Sequence, residues 1–228
     1  PILTATKNYY VEAKSTLGDC TSTSRVPVTV TVISTQLGTC LDANSQQTNA
    51  NGLCLLCSVS NPNDSVDGNL NTAASLSVPV GLLNGWIQQT LQFNNPGKAG
   101  DIIDVILESP GGVLDLGVLS YISLATYNSG TFNNDRVSIS NLLNVQLLGG
   151  NKFKASIVAG GTFDRVEIRL GGIVTALTSL NIYNASYRYK SPTITGNTTI
   201  CSGQTTTLTA GVAVGETVAW YDASVDGN

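Results

Sequence analysis

Asn61-Pro62-Asn63-Asp64-Ser65-Val66-Asp67-Gly68-Asn69-Leu70-Asn71-Thr72 reads as a loop folded on itself. Its Asn, Asp and Ser side chains can hydrogen-bond neighbouring backbone, Gly68 accepts a positive φ, and Pro62 presets φ at about −65°. Val66 and Leu70 are two apolar anchors that pin the loop to a core. Asp67, Asn69 and Thr72 bring hard oxygen donors to close range, a set suited to Ca²⁺ and unsuited to a soft metal. The same residues also make a self-satisfied Asx-turn loop that needs no ion. Both readings are open at this level.

Downstream of the loop the chain alternates. Strands are expected over 75–80, 86–93, 101–109, 118–127, 136–140, 144–148, 153–158, 163–170 and 179–188, where apolar and polar residues trade places with period two. Turns rich in Gly and Asn separate them: Asn94-Asn95-Pro96-Gly97, Ser109-Pro110-Gly111-Gly112, Asn128-Ser129-Gly130, Gly149-Gly150-Asn151, Gly160-Gly161 and Gly171-Gly172. Short strands at near-regular spacing predict an antiparallel β-sandwich, with no helix longer than about two turns. The closing strands also fit a jelly roll, in which early and late strands lie side by side.

Both ends are strand-like as well. Asn8-Tyr9-Tyr10-Val11-Glu12-Ala13 and Arg25-Val26-Pro27-Val28-Thr29-Val30-Thr31-Val32 form a hairpin pattern too small to stand alone. At the other end, Gly203-Gln204-Thr205-Thr206-Thr207-Leu208-Thr209-Ala210 and Thr217-Val218-Ala219-Trp220-Tyr221 read as two more strands.

Composition narrows the function classes. Charged residues are 11 % of the chain, against about 25 % in an ordinary soluble domain. Thr, Ser, Asn and Gly take their place, a habit of secreted β-rich proteins. A net charge of −4 leaves no electrostatic footprint for nucleic acid. No apolar run is long enough to span a membrane as a helix. The chain has no histidine, so the commonest general base and the usual Zn²⁺ ligand are missing together. It starts at Pro1 and holds no methionine, which reads as a fragment whose signal peptide lies upstream or has been removed.

The five cysteines are Cys20, Cys40, Cys54, Cys57 and Cys201. Cys54-Leu55-Leu56-Cys57 lies in an apolar run without a charged neighbour to depress a thiol pKa, so a local disulfide is expected rather than a redox centre. A bridge from Cys40 to one of the pair is the alternative. Three neighbouring cysteines without histidine do not complete a Zn²⁺ tetrahedron.

Catalysis finds no foothold in the pattern. No spacing singles out a carboxylate pair for glycoside hydrolysis, and Asp164-Arg165-Val166-Glu167-Ile168-Arg169 reads as a solvated strand face with cross-strand pairing. The chain is expected not to be an enzyme. Trp86, on an alternating strand, is expected in the core. The best candidate ligand loop runs from Tyr127 to Arg136 and offers Tyr127, Asn128, Asn133, Asp135 and Arg136, combining two aromatics, Tyr127 and Phe132, with Asn, Asp and Arg. An ordinary surface turn is the competing reading.

Two resemblances sharpen these expectations. Val66-Asp67-Gly68-Asn69-Leu70-Asn71-Thr72 followed by Gly85-Trp86-Ile87-Gln88-Gln89-Thr90-Leu91 resembles the opening of discoidin-like (F5/8 type C, galactose-binding-like) modules. The resemblance implies a jelly-roll sandwich over 37–189 whose loop holds a structural Ca²⁺ through Asp67, Asn69 and Thr72, with further ligands near Tyr183-Asn184-Ala185. The chain departs from that family at Ala73-Ala74, where an aromatic residue is usual, and at Thr90 or Gln92, where an acidic one is usual. The two ends resemble Ig-like repeats of very large bacterial surface proteins, including gliding-motility adhesins exported by the type IX system. Residues 1–34 match the last part of such a repeat and 192–228 the first part of the next.

The fold class implied is all-β, a jelly-roll sandwich flanked by two partial Ig-like sandwich halves. In the repeat the position of Cys201 bridges to that of Cys20, which here belong to different copies, so these two are not expected to bridge each other. The function implied is a non-catalytic repeat segment of an extracellular, cell-surface adhesin, binding glycan or another surface protein beside neighbouring repeats of its own chain. A structural spacer of a surface fibre and a carbohydrate-binding accessory module of a secreted enzyme are the alternatives.

Overall fold

Phe163-Asp164-Arg165-Val166-Glu167-Ile168-Arg169-Leu170-Gly171 alternates, and in the computed structural model it is a strand whose Val166, Ile168 and Leu170 are fully buried on one face. The structure describes residues 7–11, 26–30, 41–51, 54, 56–78, 85–110, 119–141, 145–171, 179–212, 217, 218 and 220. The chain divides into two compact units, Pro1–Thr39 and Cys40–Asn228. In the first, β1 (Lys7–Val11) pairs antiparallel with β2 (Val26–Val30).

The second unit carries the other strands in chain order: β3 (Ala43–Ala50), β4 (Ser58–Ser60), β5 (Ala74–Ser77), β6 (Trp86–Gly97), β7 (Ile102–Glu108), β8 (Ile122–Asn128) and β9 (Thr131–Phe132). They continue with β10 (Val137–Ser138), β11 (Val145–Gly149), β12 (Lys152–Val158), β13 (Phe163–Gly171), β14 (Ser179–Arg188), β15 (Thr193–Thr195) and β16 (Thr209–Gly211). Two 3-10 turns, Pro62–Ser65 and Ile139–Asn141, interrupt them.

Two antiparallel sheets face each other. One runs β10-β8-β13-β6-β3, with β9 added to β8; the other runs β11-β12-β7-β14-β5-β4. Early and late strands are neighbours in both, β6 beside β13 and β5 beside β14, which is the jelly-roll relation. Ile87, Leu91, Ile122, Leu124, Ile168 and Leu170 of one sheet meet Leu76, Ile103, Val105, Leu107, Phe153 and Leu180 of the other in a single apolar cluster. Each such side chain contributes about 1.5–3 kcal/mol on full burial. Gly149 and Gly150 take φ of 100° and 60° between β11 and β12, the positive values that a tight hairpin demands. No helix among the described residues is long and apolar enough to cross a membrane.

Several boundaries differ from those expected. The strand expected at 75–80 is β5, with Val78 buried just beyond it and 79–80 outside the described residues. The one expected from 118 begins at Ile122, and that from 136 shrinks to Val137–Ser138 because the chain turns at Ile139. Asn94-Asn95-Pro96-Gly97 is no turn: β6 continues to Gly97, which pairs with Phe163. Only Thr209 and Ala210 of the 203–210 segment lie in a strand, while Thr217, Val218 and Trp220 carry no strand assignment.

β3 is a strand without a strand's signature. Asn44-Ser45-Gln46-Gln47-Thr48-Asn49 has no apolar alternation, and it extends because β6 offers a ladder from Phe93 to Ile87. The chain then leaves this sheet through a segment bridged by Cys54 and Cys57. Closing so short a loop restrains the unfolded chain by about 2 kcal/mol. Asn51 fixes the start of β6 from there, its N–H donating to the Trp86 carbonyl (3.2 Å) and its Oδ1 accepting from the Trp86 N–H (3.2 Å). Cys201 is an exposed free thiol, and Cys20 and Cys40 lie outside the described residues.

Candidate binding groove

The outer face of the first sheet is built from residues out of phase with the core. On β6, Ile87, Gln89, Leu91 and Phe93 point inward, so Trp86, Gln88, Thr90 and Gln92 point outward. Registers then set cross-strand rows: Gln47, Thr90, Glu167 and Ala125 in one, Asn49, Gln88, Arg169 and Ser123 in the next. Trp86 is therefore not a core residue. It is half-buried on the outside, and the Arg169 guanidinium lies 3.9 Å from its ring centroid. The phase of Trp86-Ile87-Gln88-Gln89-Thr90-Leu91 already set Trp86 with the polar residues, a signal that the apolar bulk of indole outweighed.

Gln47, Asn49, Trp86, Gln88, Thr90, Tyr127, Arg165, Glu167 and Arg169 line an open groove of about 330 Å³ on this face. At its floor Glu167 is only 2 % exposed. Its Oε1 sits 2.6 Å from Arg136 Nη2 and 3.2 Å from Arg169 Nη2, and its Oε2 accepts from the Tyr127 hydroxyl at 2.9 Å. The expected solvated face is thus a buried ion cluster, since two long guanidiniums roof the carboxylate. Arg136 Nη2 donates to the Tyr127 hydroxyl at 3.1 Å and Nη1 to Ser123 Oγ at 3.3 Å. Arg169 donates through Nε (3.2 Å) and Nη2 (2.8 Å) to Gln88 Oε1. Burial pushes the Tyr127 phenol up, and the adjacent Glu167 carboxylate raises it further. Burial pushes the Arg169 guanidinium down, with Glu167 opposing.

The residues expected in the ligand loop divide between two tasks. Tyr127 lines this groove, Arg136 is joined to it through Glu167 and the Tyr127 hydroxyl, and the Tyr127 ring packs on Phe132 with centroids 5.3 Å apart. Asn133 and Asp135 instead hold the loop together. Asp135 Oδ1 accepts from the Thr126 N–H (2.8 Å), and Oδ2 accepts from the Thr126 hydroxyl and the Gly160 N–H (3.1 Å). Asn133 Nδ2 donates to Thr126 Oγ1 (2.8 Å) and the Thr162 carbonyl (3.0 Å). Asn128 is exposed at the β8–β9 hairpin.

The 61–72 loop packs over the edge of the sandwich. Gln89, fully buried, donates to the Pro62 carbonyl at 2.7 Å, Ser65 is buried on the same carbonyl, and Val66 packs against the core. Asp67 Oδ1 accepts from the Asn69 N–H (2.8 Å), while the Thr72 hydroxyl donates to Asp67 Oδ2 (2.8 Å) and to the Asn69 carbonyl (2.9 Å). Thr72 Oγ1 therefore lies within hydrogen-bond distance of both Asp67 Oδ2 and the main-chain oxygen of Asn69. The Asn69 side chain turns away and accepts from the Asn71 N–H at 3.1 Å. As a donor set, one carboxylate, one hydroxyl and one carbonyl fit a hard cation. No group of three or more His, Cys, Asp or Glu side chains that could hold a metal occurs among the described residues. Lys152 ties the loop to β14, donating to the Leu70 carbonyl at 3.1 Å with its ammonium 3.7 Å from the Tyr183 ring centroid. Burial, reinforced by the Glu108 carboxylate that accepts its hydroxyl, pushes Tyr183 up to about 12.

No family model matches the chain, and no curated relative matches it. Solved structures similar to it include carbohydrate-binding modules, an enzymatically active domain of a bacteriophage tailspike protein and a glycoside hydrolase domain from Streptococcus pneumoniae. A low-affinity xylan-binding module from Roseburia intestinalis is 12 % identical, with 64 % of this chain and 96 % of that one covered and a TM-score of 0.34. A family 32 module from C. perfringens NanJ, solved with galactose, is 14 % identical over 63 % of this chain and 93 % of its own, again at 0.34. A second family 32 module, bound to GalNAc, is 12 % identical over 64 % and 98 %, at 0.34.

Proposed function

We propose that the chain is a non-catalytic glycan-binding segment of an extracellular bacterial surface adhesin, and that the groove on the first sheet is its binding site. The observation that carries this reading is the partly exposed Trp86 stacked on Arg169 beside Gln47, Asn49, Gln88 and Thr90. An aromatic face takes the apolar side of a pyranose, and amides and hydroxyls at its rim satisfy sugar hydroxyls. A spacer would carry flat Thr, Ser and Asn walls instead of a groove with an aromatic platform. Bond cleavage is a poor use of this site, because the buried carboxylate is enclosed by two guanidiniums and a phenol. The adhesin context, the Ig-like neighbours and export to the cell surface rest on the resemblance of the two ends.

The test is a glycan array followed by titration calorimetry on the whole chain. Trp86→Ala is expected to weaken the best ligand at least about tenfold, the effect of losing a central aromatic anchor, with the melting transition retained. Failure of the unmodified chain to bind any array member would overturn the binding reading in favour of the spacer.

A structural Ca²⁺ belongs to the same proposal, held by Asp67, Thr72 and the main-chain oxygen of Asn69. Its chemistry is to cross-link the loop and nothing more. Stability is expected to rise with Ca²⁺ by about RT ln(1 + [L]/Kd), roughly 2.7 kcal/mol at a hundredfold excess over Kd. Asp67→Ala is expected to abolish that increment. Identical melting of the unmodified chain in chelator and in millimolar Ca²⁺ would leave the loop a plain Asx turn.

A further inference from the structure

The groove does not end at Trp86. A second open depression of about 410 Å³, lined by Gly85, Trp86, Ser120, Tyr121, Arg169 and Gly171 among others, adjoins the first and shares Trp86 and Arg169 with it. Its floor is Gly171. That residue pairs with Trp86 on one side, and on the other its N–H donates to the Tyr121 carbonyl at 2.8 Å. Trp86 on β6 and Tyr121, just before β8, therefore flank a position that has no side chain. Tyr121 is 42 % exposed. The result is a slot between two aromatic residues over a bare stretch of backbone.

The two depressions follow the strand direction. From Tyr121 to Tyr127, which lines the first depression, is six residues of extended chain, or roughly 20 Å. That is several sugar units, not one. The charged groups along it pair with one another: Arg136 and Arg169 share Glu167, and Arg165 meets Asp164 through Nε (2.9 Å) and Nη2 (3.0 Å), which leaves one positive charge in surplus. What the groove presents to a ligand is amide, hydroxyl, guanidinium and aromatic surface.

We propose that the groove binds a polysaccharide along its length, in at least two subsites on either side of the Trp86–Arg169 stack, and that Gly171 keeps the second subsite open. This rests on the glycan-binding reading above and adds the form of the ligand. Gly171 is suited to a test. Its φ is not in the left-handed region, and among the described residues an added Cβ would meet only the Tyr121 carbonyl oxygen at 3.5 Å, an ordinary contact. A β-branched residue suits a strand, so Gly171→Val folds while its methyl groups fill the slot.

The experiment titrates the whole chain, and Gly171→Val, with linear neutral oligosaccharides of one to six units and with uronate-bearing chains of equal length, using melting curves to confirm folding. Affinity for neutral chains is expected to climb with length over the first few units. Gly171→Val is expected to lose at least about tenfold on the longest neutral chains and to flatten the dependence on length. A monosaccharide bound as tightly as a hexasaccharide, with Gly171→Val indistinguishable, would overturn the extended site and leave glycan binding standing. A rise of affinity with length in the uronate series alone would support the extended site equally, with the surplus positive charge of the groove as its cause. Binding of no member of either series would overturn both this inference and the function it rests on.

Discussion

Glu167→Ala is expected to lower the stability of the Cys40–Asn228 unit by about 3 kcal/mol, the lower end of the cost of breaking a buried ion cluster. For a unit of this size that is a fall in melting temperature of roughly 6–12 °C. The carboxylate is 2 % exposed, and two guanidiniums converge on it from β13 and from the segment before β10. Without it, Arg136 and Arg169 are left facing one another across a partly dry floor, and the Tyr127 hydroxyl loses its acceptor. Removing one cation is milder, because the other still neutralises Glu167, so Arg136→Ala is expected to cost less than half as much. Denaturant melts of the two variants decide it. A loss under about 0.5 kcal/mol in Glu167→Ala would show that solvent already compensates the cluster.

The second large effect lies beneath the other end of β13. Phe163→Ala is expected to cost about 3–5 kcal/mol. The ring is fully buried and makes edge-on contacts with Phe93 (5.7 Å between centroids) and Tyr187 (5.3 Å). It also lies on the backbone of Gly97, where a Cβ would come within 2.3 Å of the ring. Gly97→Ala by itself is therefore expected to cost about 1–3 kcal/mol by overpacking. In the Phe163→Ala background the same change should be nearly free, since the added methyl enters the space vacated. The double-mutant cycle measures that coupling. Additive losses would mean that Gly97 matters for its backbone and not for the ring above it.

Much of the interior was legible from local pattern, because burial on one face of a strand imposes a period of two on the residues themselves. Val166, Ile168 and Leu170 announce the inner face of β13, and Ile103, Val105 and Leu107 that of β7. Gly149 and Gly150 mark a turn for a reason just as local, their positive φ. Cys54 and Cys57 are three residues apart, and a bridge between them asks nothing of the rest of the chain. Asp67 and Thr72 meet within one loop, so their hydrogen bond is equally a matter of short-range chemistry.

What only the tertiary structure decided involves partners far apart in the chain. β3 has no apolar pattern, and its extended form comes from the β6 ladder about forty residues on. Glu167 on its own strand is an alternating charge. It becomes a buried anion because Arg136, thirty-one residues away, folds over it from another strand pair. Trp86 and Tyr121 become walls of one slot only when β13 places Gly171 between them. Period two assigns a residue to a face, but whether that face meets a second sheet, solvent or a groove depends on which strands pair, and that is settled across the whole sandwich at once.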